Sequence, residues 1–314
     1  MGNFKFFDTE EKSSLTYQQG TKADKVATSA IADHTKKYRY RIEQVVVTKF
    51  NGEIINHGTT KQEYIFQKNF YKNELNSIDI QLLENVIHFE PPQLETAIQL
   101  LCDFDLIKSD VTLSFDQETG KVKEVINKDR VLERWDAFKK ETSNTFNFVK
   151  SQESKDNINT FLVAGDQQIN NNELLIGDYQ SKLFFDIVFD KYLIADVLDE
   201  AYDKSVLSNL FDMQYAQLNV GQFITSESPE VTLVRRVGKL DENSLDKDFM
   251  IKQYDEKFKP YIGFKFSEYN YNYRQSYSIN TRENVINKAE VVITEEIKNN
   301  VQIVINYELK LIDL

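Results

Sequence analysis

Over the last fifty residues, aromatic and aliphatic side chains recur at nearly every second position, the period of a strand with one buried face. Phe264, Phe266, Tyr269, Tyr271, Tyr273, Tyr277 and Ile279 form the first run. Its parity changes once, between Phe266 and Tyr269, and a β-bulge there would keep both groups on one face. Ala289, Val291, Ile293 and Ile297 form the second run, and Val301, Ile303, Ile305, Tyr307, Leu309 and Leu311 the third. A two-residue turn at Asn299-Asn300 would pair odd positions with even ones and mix the faces. A three-residue turn, Lys298-Asn299-Asn300, sets Ile297 against Val301, Ile293 against Ile305 and Val291 against Tyr307. Asn accepts the left-handed backbone that such a turn needs.

Alternation also begins at Tyr38, Tyr40 and Ile42 and runs through Val45, Val46 and Val47 to the hairpin signal Asn51-Gly52. It resumes at Tyr64, Phe66 and Phe70. The period then changes. Leu94, Ala97, Ile98 and Leu101 lie on one helical stripe behind Pro91 and Pro92, which suit a first turn. Val111, Leu113 and Phe115 alternate into a turn ending at Gly120, with Phe115 expected opposite Val122 and Val111 opposite Ile126. Asn127 is placed to cap a helix with Val131, Trp135 and Phe138 inward. Helical spacing recurs at Phe146 and Val149, and at Ile158, Phe161 and Leu162. Residues 183–189 satisfy both periods and are assigned to a helix. Residues 196–210 read as helix, Phe223 to Thr225 and Val231 to Val237 as strands, and 238–260 as a charged loop. Residues 1–36 read as a polar arm and 37–314 as a single domain.

Strands, helix, hairpin, helices and strands again make an α+β layout. Its sheet is mainly antiparallel, built from N- and C-terminal strands, and helices from the middle of the chain cover it. The long first strands, the hairpin over 111–126 with Gly120-Lys121-Val122, the stretch Leu218-Asn219-Val220-Gly221-Gln222-Phe223 and the closing meander resemble uncharacterised bacterial lipoprotein-like families. The resemblance implies a curved half-barrel similar to the lipoprotein carriers of the cell envelope, with helices on its concave side. It also implies an apolar cavity for a lipid-like ligand, and no catalytic residues. The signal peptide and lipidated cysteine of those families are not found in this sequence.

Composition narrows the functional classes. A net charge of −12 argues against nonspecific binding to nucleic acid and favours a basic partner. With 22 Phe and 16 Tyr, the apolar surface to be buried or occupied by a ligand is large. Cys102 is the single cysteine, which excludes an intrachain disulfide. No apolar run approaches the roughly 20 residues of a membrane span, and a cytoplasmic location is expected. His34, His57 and His88 fall in separate segments without ligand spacing, so no metal is expected. Ser244-Leu245-Asp246-Lys247 matches Ser-x-x-Lys without its companion boxes. Phosphate-loop and dinucleotide fingerprints are missing, so no cofactor is expected.

Two sets of residues remain as candidate sites. Tyr269, Tyr271, Tyr273 and Tyr277 form a row suited to a ligand or partner face, since tyrosine joins apolar area to a polar tip. Asp196, Asp199, Glu200 and Asp203, spaced 3, 1 and 3, would share one helical face and meet a basic partner. The leading expectation is a noncatalytic binding or adaptor protein that holds a protein partner or an apolar ligand against the sheet. The alternatives are a hydrolase using paired carboxylates and a structural subunit of a larger assembly.

Overall fold

A single open, antiparallel sheet of eleven strands takes up the alternating runs. The strands are β1 (Lys37–Phe50), β2 (Glu53–Tyr71), β3 (Glu74–Glu90), β4 (Val111–Phe115), β5 (Val122–Val125), β6 (Glu200–Leu207), β7 (Tyr215–Glu227), β8 (Val231–Leu240), β9 (Tyr269–Asn280), β10 (Val285–Ile297) and β11 (Val301–Ile312). Their order is β5-β4-β3-β2-β1-β11-β10-β9-β8-β7-β6, so the first and last strands pair at the centre. The computed structural model describes residues 36–71, 74–90, 95–145 and 152–312. The expected arm, apart from Lys36, lies outside the described residues, as do His34, Pro91, Pro92, Leu94, Phe146 and Val149.

The register expected of the last two strands is the observed one: Ile297 pairs with Val301, Ile293 with Ile305 and Val291 with Tyr307. Asn299 takes the left-handed conformation in the turn, at φ 64°. At Asn51-Gly52 both residues have positive φ, and the two-residue turn sets Phe50 against Glu53. Between Phe266 and Tyr269 there is no bulge within a strand, because β9 begins at Tyr269. Phe264 is exposed there, while Phe266 packs edge-on against Tyr254.

Helices from the middle of the chain pack on the sheet and on one another: α1 (Glu95–Ile107) on β3, α4 (Asn172–Ser181) on β5 and α5 (Leu183–Val188) on β10, with α2 (Lys128–Thr145) against α1 and α3 (Gln152–Asn170) between α2 and α4. The ambiguous run 183–189 is helical at α5, which packs on β10 and buries Phe184, Phe185, Ile187 and Val188. Phe184 stacks on Tyr64 with ring centres 4.0 Å apart, a contact worth about 1 kcal/mol beyond its buried area. In α2, Val131 and Trp135 are fully buried and Trp135 donates to Asp166 at 2.8 Å.

Several elements differ from expectation. In α1 the inward side chains are Cys102, Phe104 and Ile107, whereas Leu101 is 54% exposed. The hairpin of β4 and β5 pairs Phe115 with Val122 as expected, but a register shift sets Leu113 against Val125 and turns Ile126 outward. The Asn127 side chain accepts from the amide of Thr112 rather than from its own helix. The charged stretch 238–260 contains α6 (Lys247–Lys257), and α7 (Lys259–Ile262) follows it. Asp246 caps α6 by accepting from the amide of Phe249. Phe258, between the two helices, meets Phe50 and Phe211 and closes that end of the inner face.

The expected helix over 196–210 is a loop followed by β6, an edge strand whose Tyr202, Lys204 and Val206 turn inward. Lys204 is an inward-pointing charge on that edge, a device that discourages pairing with another chain. Among the described residues no helix is long and apolar enough to cross a membrane.

Candidate functional site

Inward positions on a covered sheet are normally apolar. Three adjacent strands break that rule at one level, where Gln222 on β7 lies opposite Arg236 on β8 and Arg236 opposite Gln275 on β9. Glu200 on the edge strand extends the line beyond Gln222. The result is a polar row running across the strands. Gln222, Arg236 and Gln275 are 3%, 4% and 2% exposed, so their polar atoms must find partners within the protein.

Arg236 organises the row. Its Nε donates to Gln222 Oε1 at 2.7 Å and its Nη1 to Gln275 Oε1 at 3.4 Å. Nη2 lies 2.6 Å from Asp190 Oδ2. Its guanidinium faces the rings of Tyr277 at 4.8 Å and Tyr202 at 5.6 Å, favourable cation–π placements. Burial opposes its charge, but the Asp190 carboxylate overrides burial and holds its pKa above the ordinary value.

Asp190 also lies 4.0 Å from Lys121, which bonds Asp186 at 3.1 Å, and Lys204 pairs with Asp186 from the edge strand. Burial would raise the Asp186 pKa, but Lys121 and Lys204 reverse the shift and hold it well below the carboxylate range. The linked cluster therefore sets three cations, Lys121, Lys204 and Arg236, against two carboxylates, Asp186 and Asp190.

A cavity of about 230 Å³ lies over the row, with Gln222, Arg236 and Tyr277 among its buried lining. The loop after α5 bounds it through Tyr192, Val197 and Leu198, and Gln222 Nε2 ties that loop down by donating to Leu198 O at 2.8 Å. Exposed Glu118 and Asp196 stand at its rim, beside a Lys191–Glu200 ion pair at 2.9 Å. Glu118 reaches the rim because Gly120, at φ 72°, lets the tip of the β4–β5 hairpin press against Asp190. A Cβ at Gly120 would fall 2.3 Å from the Asp190 carbonyl oxygen.

The four tyrosines singled out from sequence share this inner face, but under cover. Tyr269, Tyr271, Tyr273 and Tyr277 are 6%, 4%, 1% and 5% exposed. Tyr273 donates to Gln275 at 2.7 Å and Tyr277 to Gln222 at 3.3 Å, so two of them are partners of the polar row. Tyr269 donates to Glu295 at 3.0 Å. Of the four, only Tyr277 lines the cavity.

The four acidic residues do not share one face. Asp196 is at the rim, and Asp199 accepts from the amide of Ile224 at 2.5 Å. Glu200 and Asp203 point to opposite sides of β6, where Asp203 accepts from Asn219 at 3.2 Å. The 3, 1, 3 spacing has no helix to act through. His57 and His88 lie on neighbouring strands, and among the described residues no three His, Cys, Asp or Glu side chains converge to hold a metal ion.

The polar row was not singled out from sequence, although its signal is there. Gln222, Arg236 and Gln275 each occupy the inward parity of an otherwise apolar run: Leu218 and Val220, Val234, and Tyr273 and Tyr277.

No protein-family model and no curated protein matches the chain. A solved structure titled "Lipid-protein interactions in lipovitellin" is similar at 10% identity and a TM-score of 0.40. The similarity covers 90% of this chain but a quarter of that one (25%), and is too slight to bear on function.

Proposed function

We propose that this chain is a noncatalytic binding protein that receives a small polar ligand in the cavity over the polar row. The observation that carries the reading is Arg236, 4% exposed at the edge of that cavity with part of its donor set unspent. A guanidinium has five N–H groups. Nε and Nη1 hydrogen-bond to Gln222 and Gln275 and Nη2 forms the ion pair with Asp190, so the N–H groups outnumber the partners found among the described residues. Buried donors left over beside a cavity are what a ligand acceptor would satisfy.

The volume of about 230 Å³ is below the usual range for drug-sized or lipid ligands, roughly 300 to 1,000 Å³. This favours a small polar molecule over the lipid-like ligand that the family resemblance implies. A second reading, a basic protein partner, draws on the exposed acidic rim at Glu118 and Asp196.

The test is amide and side-chain NMR of the labelled full chain titrated with small polar compounds grouped by charge. Saturable shifts are expected at the Arg236 Nε–H and Gln222 side-chain resonances. If no class moves them at millimolar concentration, the ligand reading fails. Shifts confined to the rim on addition of a basic peptide would favour the second reading.

A further inference from the structure

The cavity is electrically two-ended, and its ends select a ligand class. At the inner end the buried Arg236 and Gln222 have donors to spare, and the acceptors there are neutral: the hydroxyls of Tyr277 and Tyr192, whose protons go to Gln222 and to the Val188 carbonyl. Gln222 Oε1 already accepts from Arg236 and Tyr277, while Gln222 Nε2 has spent one of its two N–H groups, on Leu198. Behind them the charge cluster holds three cations against two carboxylates, an excess of one positive charge. That end takes an acceptor group, and a carboxylate best of all, because charge-assisted bonds are the strong ones. At the outer end the polarity reverses. Glu118 and Asp196 are exposed carboxylates with no cation within salt-bridge distance among the described residues, since the rim cation Lys191 is held by Glu200.

Resting on the ligand reading above, we propose that the cavity binds a free α-amino acid, its carboxylate toward Arg236 and its ammonium toward Glu118 and Asp196. The volume suits a ligand of this size, and Val197 and Leu198 form an apolar wall for an aliphatic side chain. A simple carboxylic acid meets the inner donors but leaves the acidic rim unmatched. A simple amine meets the rim but leaves the buried donors unpaired. An anion of higher charge is repelled by the rim.

The experiment is calorimetric titration of the full chain with leucine and its two truncated analogues, 4-methylpentanoate and isopentylamine. The NMR probes above report whether each compound sits at Arg236 and Gln222. Leucine is expected to bind at least about tenfold more tightly than either analogue. The rim pair Glu118→Gln and Asp196→Asn, both on exposed side chains, is expected to weaken leucine by about tenfold while leaving 4-methylpentanoate no weaker than before. Arg236→Lys is expected to weaken both carboxylates. Should that variant not fold, the rim pair still decides.

An analogue that binds as tightly as leucine, or a rim variant that leaves leucine unaffected, overturns the amino-acid assignment. If an uncharged polyol or amide instead shifts Arg236 and Gln222, the cavity remains a binding site and only the ligand class falls. If no compound shifts them, both readings fall together.

Discussion

Raising the pH ionises phenols, and nine of this protein's tyrosines are packed where ionisation is opposed. Tyr40, Tyr64, Tyr179, Tyr192, Tyr269, Tyr271, Tyr273, Tyr277 and Tyr307 are each no more than 6% exposed. Burial holds every one of them above the ordinary phenol value. A group whose pKa is raised by folding stabilises the fold fully below its unfolded pKa, here about 10, and loses that contribution as the pH climbs. While the folded phenols keep their protons, each costs about 0.8 kcal/mol of stability at pH 10.5 and about 1.4 kcal/mol at pH 11. Nine together remove roughly 7 kcal/mol at pH 10.5 and roughly 13 kcal/mol at pH 11, which spans the usual stability of about 5 to 15 kcal/mol.

Lys68 acts in the opposite sense. Burial lowers its pKa to about 8. The folded chain sheds that proton before the unfolded chain does, and stability rises between about pH 8 and 10.5 from this one residue. The expected profile is therefore flat or slightly rising above pH 8, followed by cooperative collapse between about pH 10 and 11. Far-ultraviolet circular dichroism and the tyrosinate absorbance band, followed on one sample, are the assay. Most phenols should ionise only in the step that destroys the sheet. If they titrate near their ordinary value while the dichroism stays native, the inner face is not packed as described.

Three further changes probe single contacts. Glu295→Gln should destabilise by about 1 to 3 kcal/mol in thermal or urea unfolding, because the fully buried carboxylate accepts from Ser208, Tyr269 and both nitrogens of Asn209, and an amide would point a donor at donors. Gly120→Ala should cost at least about 3 kcal/mol or abolish soluble expression, since the backbone is left-handed and the new Cβ would overlap the Asp190 carbonyl; a variant as stable as the parent would refute that close approach. Tyr307→Phe should be neutral or stabilising by up to about 1 kcal/mol, because the Tyr307 hydroxyl is buried without a partner among the described residues. A marked loss of stability there would mean that the hydroxyl is satisfied after all.

How much of this was legible in the sequence depends on whether a feature is local. The β10–β11 register followed from parity alone, since only a three-residue turn keeps Ile293, Ile297, Val301 and Ile305 on one side. The strand β6 is hidden in the sequence because its inward positions are Tyr202, Lys204 and Val206, and a lysine at the middle one breaks the apolar alternation. Lys204 faces inward to meet Asp186, a residue on α5 that no local pattern links to it. The carboxylates at 196, 199, 200 and 203 then supplied a helical spacing by accident. In α6, the polar surface of Lys247–Lys257 left only Met250, Gln253 and Tyr254 to mark the buried side, too few to separate a helix from a charged loop.

The candidate site shows the same limit and explains the path of the chain around it. Gln222, Arg236, Gln275 and Glu295 each look like a flaw in an apolar alternation, and a flaw on one strand carries no message. Their meaning comes from strand order. Once β7, β8 and β9 lie side by side, three flaws fall in one row, and buried polar groups in a row must be satisfied by whatever covers them. Hydrophobic burial alone would seal this part of the sheet with another apolar helix like α5. Instead the chain leaves α5 at Phe189, sets Asp190 against Arg236, and lays the carbonyl of Leu198 on Gln222. The loop thus takes its course from two polar anchors eight residues apart, and the space left between them is the cavity to which the function is assigned. Replacing Gln222 by Leu would remove one anchor, so amide exchange in the loop between those anchors should quicken more than in β10. Equal protection in both would show that the loop is held by its apolar contacts, and that the polar row does not shape the site.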